Sequence, residues 1–207
     1  MASMYVIGLT GGIGTGKSVV AEMLREQGAE ILNADLVGHE AYLPGAPAYE
    51  AIVAEFGPDV VAEDGTIDRK KLGPIVFGDP VKLMRLNAIT HPRMKEMMRE
   101  KLAEAERAGT RVAVLEAALL FDASWDDLTD EVWVTLVDAE TAARRASERS
   151  GIPVERVLER IQKAQMASDE RVRRSDVVID TSGTMGETRR RTLEAWRELE
   201  RRLAARD

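Results

Sequence analysis

The sequence predicts an α/β fold built on an open parallel sheet, and three observations carry that prediction. Five short apolar runs, at 5–9, 29–33, 111–116, 131–137 and 176–180, have the length and composition of buried strands. Helical patterns separate them, as crossovers between parallel strands require. Between the first run and the first helix stands Gly11-Gly12-Ile13-Gly14-Thr15-Gly16-Lys17-Ser18, a glycine-rich stretch with strand before it and helix after it.

Composition narrows the class of protein. The chain has 207 residues, enough for one sizeable domain with a subdomain inserted. With 44% hydrophobic and 31% charged residues it reads as soluble and globular, and no apolar run approaches the ~20 residues a membrane helix needs. Met1-Ala2-Ser3-Met4 leads directly into the first strand without a charged start or a long apolar segment, so the expected location is cytoplasmic. The absence of cysteine excludes a disulfide framework, a thiol nucleophile and a cysteine-zinc site. A net charge of −7 argues against a nucleic-acid partner. That charge is unevenly spread. Between Arg144 and Arg174 nine basic residues stand against five acidic ones, so this segment is +4 and the remainder −11. An anion-facing element in an acidic protein is the simplest account.

The glycine-rich stretch meets G-x-x-x-x-G-K-[ST] in full. Glycine lets the backbone reach positive φ and approach an anion closely, so successive N–H groups and the helix N-terminus converge on phosphate oxygens. Lys17 is expected to reach the β and γ phosphates of a nucleoside triphosphate, and the Ser18 hydroxyl to hold Mg²⁺. The nucleotide-holding set is Gly11, Gly12, Ile13, Gly14, Thr15, Gly16, Lys17, Ser18 and Val19.

After a helix at 19–27, Gly28 suits a C-cap and the second strand ends at Asn33-Ala34-Asp35. In an open parallel sheet, ligands gather at the carboxyl ends of the strands. Asp35 lies just past the second strand, so two roles fit it: a base toward the ligand, or the N-cap of a helix at 36–43. The block 36–108 is far longer than an ordinary connection and reads as a helical substrate-binding insert. Within it, Pro44-Gly45-Ala46-Pro47 breaks the chain before a helix at 48–56, 57–68 is turn-rich, and Asp68 caps a helix at 69–77. A long helical stretch runs from Asp79-Pro80 toward Ala108, interrupted at Asn87-Ala88-Ile89-Thr90-His91-Pro92 because proline disfavours helical geometry at the residue before it. His91 fits either a ligand phosphate or a structural position.

The third strand ends in Glu116, where many phosphate-loop enzymes place a carboxylate near the metal; a solvated strand end is the other reading. Leu119-Leu120-Phe121 is apolar and expected in the core. Helices at 139–149 and 154–165 carry Arg144, Arg145 and Arg149, the last two sharing a face, and a short helix capped by Ser168 or Asp169 ends near Arg174. Two arginine-bearing helices joined by a tight turn suit a lid over a triphosphate, at 140–175. The last helix, 187–204, sets Leu193, Trp196, Leu199 and Leu203 along one side and reads as a docking helix.

With these residues in place, the chain resembles the dephospho-coenzyme A kinase family from Tyr5 to about Gly183. The resemblance is carried by Leu9-Thr10 leading into the glycine stretch, Ala34-Asp35, Pro44-Gly45-Ala46-Pro47-Ala48, Ile75-Val76-Phe77, His91-Pro92, Leu119-Leu120-Phe121, Ala164-Gln165, Arg171, and Asp176-Val177-Val178-Ile179-Asp180 followed by Gly183. It implies a P-loop nucleoside-triphosphate-hydrolase-like fold: a five-stranded parallel sheet with helices on both faces, a nucleotide-binding core at 4–35 and 109–207, a helical coenzyme A-binding insert at 36–108 and an arginine lid. It also implies Mg²⁺-dependent transfer of the ATP γ-phosphate to the 3′-hydroxyl of the ribose of dephospho-coenzyme A, with Asp35 as base. Arg145 matches a lid arginine that packs on adenine or contacts phosphate, with Arg149 beside it. Two departures stand out. The family's usual Asp-Ala-Asp is Asn33-Ala34-Asp35, and its Asp-x-Pro-Leu-Leu-Phe-Glu is Glu116-Ala117-Ala118-Leu119-Leu120-Phe121-Asp122. A nucleoside or nucleotide kinase shares the loop, base and lid, and only the insert separates it from this reading. A non-catalytic nucleotide switch is a further alternative, disfavoured for GTP by the lack of Asn-Lys-x-Asp.

Overall fold

The computed structural model describes residues 3–164 and 166–205. Gln165, one of the residues carrying the resemblance, lies outside them. The chain divides into two compact units, one running up to Leu32 and resuming at Leu102, the other spanning Asn33–Lys101. Both boundaries fall earlier than the expected 36 and 108, the second of them inside a long helix. No helix among the described residues is long and apolar enough to cross a membrane.

The first unit holds the sheet. Its strands are β1 (Tyr5–Gly11), β2 (Glu30–Asn33), β3 (Val112–Glu116), β4 (Glu131–Leu136) and β5 (Val177–Asp180), in the order β2-β3-β1-β4-β5. The β1–β3, β1–β4 and β4–β5 pairs are parallel. All seven residues of the central strand β1 are buried, which is why it reads as a continuous apolar run and not an alternation. Ile7 and Leu9 on β1, Val114 on β3 and Trp133 on β4 pack with Val20 and Leu24 of α1 (Lys17–Arg25). Trp196 and Leu199 join the same core from the last helix, Met185–Ala204. The buried stripe of that helix also includes Thr188 and Thr192, which its polarity hid; each hides a hydroxyl, that of Thr192 on the Thr188 carbonyl. Leu119 departs from expectation: Leu120 and Phe121 are core, but Leu119 is 40% exposed.

The second unit is helical. After β2 come α2 (Ala34–Glu40), α3 (Tyr49–Phe56), α4 (Arg69–Phe77) and α5 (Pro80–Arg107), with one short turn of helix at Pro58–Val60. An antiparallel bridge joins Val61 and Ile67. Ala48, Ile52, Val60, Ile67, Leu72, Val76 and Leu86 form its core. Asp68 caps α4 as expected, accepting from the Lys70 and Lys71 N–H groups.

The expected interruption of α5 does not occur. Pro92 removes the N–H that would bond the carbonyl four residues back, yet the helix runs through it. Leu86, Ile89, Met94 and Met97, on both sides of the proline, are seated in or against one core, so packing overrides the local preference. Side chains support the same turn: Thr90 Oγ1 donates to the Leu86 carbonyl at 2.9 Å and Arg93 Nη1 to that of Ile89 at 2.7 Å. His91 therefore sits inside a helix and not at a break.

Candidate active site

Parallel strands bring their carboxyl ends to one edge of a sheet, and here the register is explicit. Leu9 of β1 pairs with Glu116 of β3, and Gly11 with Thr135 of β4, so the residues that leave β1, β3 and β4 emerge side by side. The glycine loop rises from that edge. Gly14 and Gly16 have φ of 75° and 83°, a region closed to most side chains. A Cβ on Gly14 would also run into the carbonyl oxygen of Ala142, so the loop lies flat against the helix α6 (Ala139–Ser150). Gly16 is the N-cap of α1, whose first N–H groups therefore open into the loop. Val19 spends its N–H on the Gly16 carbonyl (3.0 Å).

Lys17 and Ser18, at the start of α1, meet at one carboxylate oxygen. Lys17 Nζ lies 3.0 Å from Glu116 Oε1, and Ser18 Oγ donates to the same oxygen at 2.8 Å. Glu116 is 4% exposed, so the solvated-strand-end reading is overturned. A buried carboxylate is retained where cationic and hydroxyl donors hold it, and these two come from the phosphate-loop motif itself.

Threonines brace the loop from behind. Thr15 Oγ1 bonds the Gly12 carbonyl at 2.9 Å and the Thr135 hydroxyl at 2.7 Å. Thr181, in the turn after β5, donates to the Thr15 carbonyl at 2.8 Å. Arg145 is spent here: its Nη2 donates to the Thr181 carbonyl at 2.9 Å, and its Nη1 lies 3.4 Å from the Thr181 hydroxyl. Arg145 thus fastens α6 to the turn that fastens the loop. Arg149, one helical turn on, is exposed. Ile13 projects from the loop into a small apolar cluster with Ala143 and Ala146 of α6 and Val157 and Ile161 of α7 (Val154–Ala164). The pair of helices expected as a lid is therefore packed onto the loop through Ile13.

Arg171 is the residue that the pattern reading undervalued. It stands on α8 (Ser168–Arg173) and is 3% exposed, and the expected side-chain cap on that helix is absent: Ala167 is its N-cap. The uneven charge of 144–174 could not single out one arginine among nine basic residues, and the resemblance named Arg171 without giving it a role.

In the helical unit, Asp35 is corrected in one of its two roles. Asn33, not Asp35, is the N-cap of α2: Asn33 Oδ1 accepts from the Asp35 N–H at 2.8 Å and the Leu36 N–H at 3.3 Å. Asparagine keeps the acceptor a cap needs without the charge, which gives the Asn33 departure a physical reason. The exposed Asp35 side chain, on the first turn, borders a cavity of about 480 Å³. Gly38, Leu72, Val76 and Leu86 make its apolar wall, and His39, Tyr42 and Arg69 stand with Asp35 as its polar groups. Arg69 lies over the Tyr42 ring, 4.9 Å from its centre, and its Nη1 is 3.1 Å from His39 Nε2. A guanidinium only donates, so that ring nitrogen accepts. Burial, partly offset by the Arg69 charge, pushes the Tyr42 hydroxyl pKa up. His39 and Arg69 escaped notice in the sequence, although His39 follows Asp35 by one helical turn and so shares its face.

The dephospho-CoA kinase family model matches residues 5–187. The chain is 46% identical to the dephospho-CoA kinase of Symbiobacterium thermophilum, over 94% of this chain and 81% of that one. It is equally similar, at 46%, to the Geobacter sulfurreducens enzyme of the same name, over 93% of this chain and 98% of that one. Among solved structures, TT1252 from Thermus thermophilus superposes with a TM-score of 0.80 at 32% identity, over 94% of this chain and 96% of that one. Dephospho-CoA kinase from Campylobacter jejuni has the same fold, with a TM-score of 0.70 at 23% identity and the same coverage. A glycine loop, a lysine and a serine gathered on one buried carboxylate, and matches that span nearly the whole chain agree: this protein belongs to the dephospho-CoA kinase family.

Proposed function

We propose that the chain transfers the γ-phosphate of ATP to the 3′-hydroxyl of the ribose of dephospho-CoA, giving CoA and ADP. The family match over residues 5–187 carries this reading, and the meeting of Lys17 and Ser18 at Glu116 supports it. Phosphoryl transfer works mostly by positioning and charge stabilisation, and the residues divide along those lines.

Gly11 to Val19 cradle the triphosphate. Lys17 carries three donors and uses one on Glu116, which leaves it able to follow the β and γ oxygens while staying anchored. Ser18 Oγ and Glu116 are hard oxygen donors 2.8 Å apart, a set that fits Mg²⁺, which takes one or two protein oxygens beside phosphate and water. When bound, Mg²⁺ neutralises charge on the phosphate oxygens. Asp35 accepts the proton of the 3′-hydroxyl as its oxygen bonds to phosphorus and the bridging oxygen departs with ADP; its carboxylate is not occupied in capping, which supports that role. The cavity beside Asp35 holds part of the acceptor, with Arg69 and His39 at its polar side. Arg145 acts by holding Thr181 against the loop, and Arg149 is the more open of the two lid arginines toward a nucleotide.

We also propose a cytoplasmic enzyme whose partner is a small molecule and not a nucleic acid, which the net charge of −7 supports. The deciding experiment supplies ATP with dephospho-CoA, nucleosides and nucleoside monophosphates in turn and follows ADP release. ADP formed with dephospho-CoA alone, together with CoA as product, is the expected outcome. Turnover of a nucleoside or nucleotide in its place, or ATP binding with no transfer to any acceptor, refutes it.

A further inference from the structure

Among the described residues, the strongly buried carboxylates of the sheet unit are answered: Glu116 by Lys17 and Ser18, Glu131 by Arg202 and Trp133. Arg171 is not. At 3% exposure its Nε and Nη2 have no hydrogen-bond partner among the described residues. Asp122 acts on it only through space, and burial is the larger influence, pushing the guanidinium pKa down from its ordinary value. A cation kept out of water without a partner is costly to fold, so its retention at this place calls for an anion that arrives later.

Its surroundings are informative. Arg171 borders a cavity of about 280 Å³ that is also lined by Gly12, Ile13 and Thr15 of the phosphate loop and by Ala142 and Ile161. The two unanswered nitrogens are not an arbitrary pair: Nε–H and one Nη–H lie parallel along one side of the guanidinium plane, the fork that matches two oxygens of a phosphate. Arg171 and the loop border one space, and Nε and Nη2 lie enclosed in the protein.

We propose that Arg171 is a catalytic residue of the phosphoryl transfer, its Nε and Nη2 donating to oxygens of the nucleotide's terminal phosphates in the cavity above the glycine loop. This rests on the ATP reading given above. It separates Arg171 from Arg145, whose guanidinium is committed to Thr181, and assigns the stabilising charge to the buried arginine of α8 and not to the exposed ones of α6. Donors of this kind act where charge spreads over the transferred group, and losing one costs on the order of 10²–10³-fold in kcat.

Arg171→Lys keeps the charge and removes the fork; Arg171→Gln removes the charge. Both are assayed for kcat with ATP and dephospho-CoA, and for binding of ATP, ADP and AMP by calorimetry. The expected result is a kcat lower by about 10²-fold or more in each, weaker ATP binding, and unchanged AMP binding. A kcat within threefold of the parent, or AMP affinity falling in step with ATP, overturns the assignment, since a merely structural arginine would affect all nucleotides alike. Because these variants risk folding poorly, the parent protein supplies an independent reading. Its Arg171 side-chain Nε–H resonance should shift with inorganic tripolyphosphate and stay put with AMP, and an unmoved resonance under saturating tripolyphosphate refutes the contact. A tripolyphosphate shift in a protein that turns over no dephospho-CoA would retain Arg171 as a phosphate ligand and remove the kinase reading instead.

Discussion

The sheet unit and the helical unit treat their polar side chains in opposite ways. Around the glycine loop, Thr135, Thr15, Thr181 and Arg145 form one run of hydrogen bonds and Lys17, Ser18 and Glu116 a second set, all buried or partly buried. Beside the cavity of the helical unit, Asp35, His39 and Arg69 are exposed and the wall between them is apolar. A triphosphate presents the same few oxygens every time, so donors fixed in advance gain most from rigidity. An acceptor with both apolar and polar parts is better met by a surface that excludes water along one side and leaves its charged groups adjustable. On the proposed reading, the contrast sets a fixed network around the phosphates in the sheet unit against an open, adjustable surface for the acceptor, with Asp35 as its one chemical group, in the helical unit.

The sharpest way to break that contrast is Lys17→Ala. It should lower kcat by on the order of 10³-fold or more, the scale of a lost transition-state charge, while calorimetric binding of dephospho-CoA stays unchanged; a parallel loss of acceptor affinity would dissolve the division of labour. Next, Asp35→Asn should reduce kcat by roughly 10²–10⁴-fold, the usual worth of a general base, with no change in the melting temperature. Its control is Asn33→Ala, which removes the real cap of α2 and should cost about 1 kcal/mol of stability by denaturant titration. A near-normal kcat in Asp35→Asn would strip the helical unit of its only proposed chemical role.

A smaller effect is expected from Glu116→Gln, which keeps the shape and removes the charge. The Mg²⁺ concentration for half-maximal turnover should rise; an unchanged titration would make Glu116 an anchor for Lys17 and nothing more. The smallest effect concerns acid. Burial opposes the charge on Glu131, but the hydrogen bonds from Arg202 and Trp133 outweigh it and hold its carboxyl below the ordinary glutamate value. Hydrogen bonds at Asp138, Asp180 and Glu187 act in the same direction. A lowered folded-state value contributes stability above the unfolded pKa, about 4.3 for glutamate, and that contribution is lost as pH falls through the folded value. All four groups belong to the sheet unit, as do the three tryptophans, Trp125, Trp133 and Trp196. Tryptophan fluorescence, whose three reporters all lie in the sheet unit, should therefore show loosening on acidification below about pH 4; emission unchanged down to about pH 3 would show that these groups contribute no acid-labile stability.

Particular residues show how far the sequence could be read. The glycine loop was fully legible because its constraint is local: Gly14 and Gly16 occupy positive φ, and few other residues go there. Asp68 was legible as a cap for a like reason, since a cap reaches only two or three residues along its own chain. Asp35 was ambiguous because Asn33 and Asp35 both suit an N-cap and the helix starts one residue after Asn33. Pro92 misled because its local cost is real, and only the packing of Leu86, Ile89, Met94 and Met97 against a single core outweighs it. Arg171 was named by the resemblance but without a role. Burial of one arginine among several is set by how α8 lies against the sheet, and no spacing along the chain encodes it.

The sequence by itself determined the class of fold, the phosphate loop and the order of the strands' chemistry, since each of these depends on residues close together in the chain. Tertiary structure alone decided that Glu116 is buried and shared by Lys17 and Ser18, that Arg145 is committed to Thr181, and that Arg171 is enclosed with its fork unanswered. The physical reason is that burial and hydrogen-bond partnership are properties of neighbours in space. Two arginines identical on paper become an anchor and an enclosed, unanswered donor according to which oxygen atoms the fold has already placed beside them.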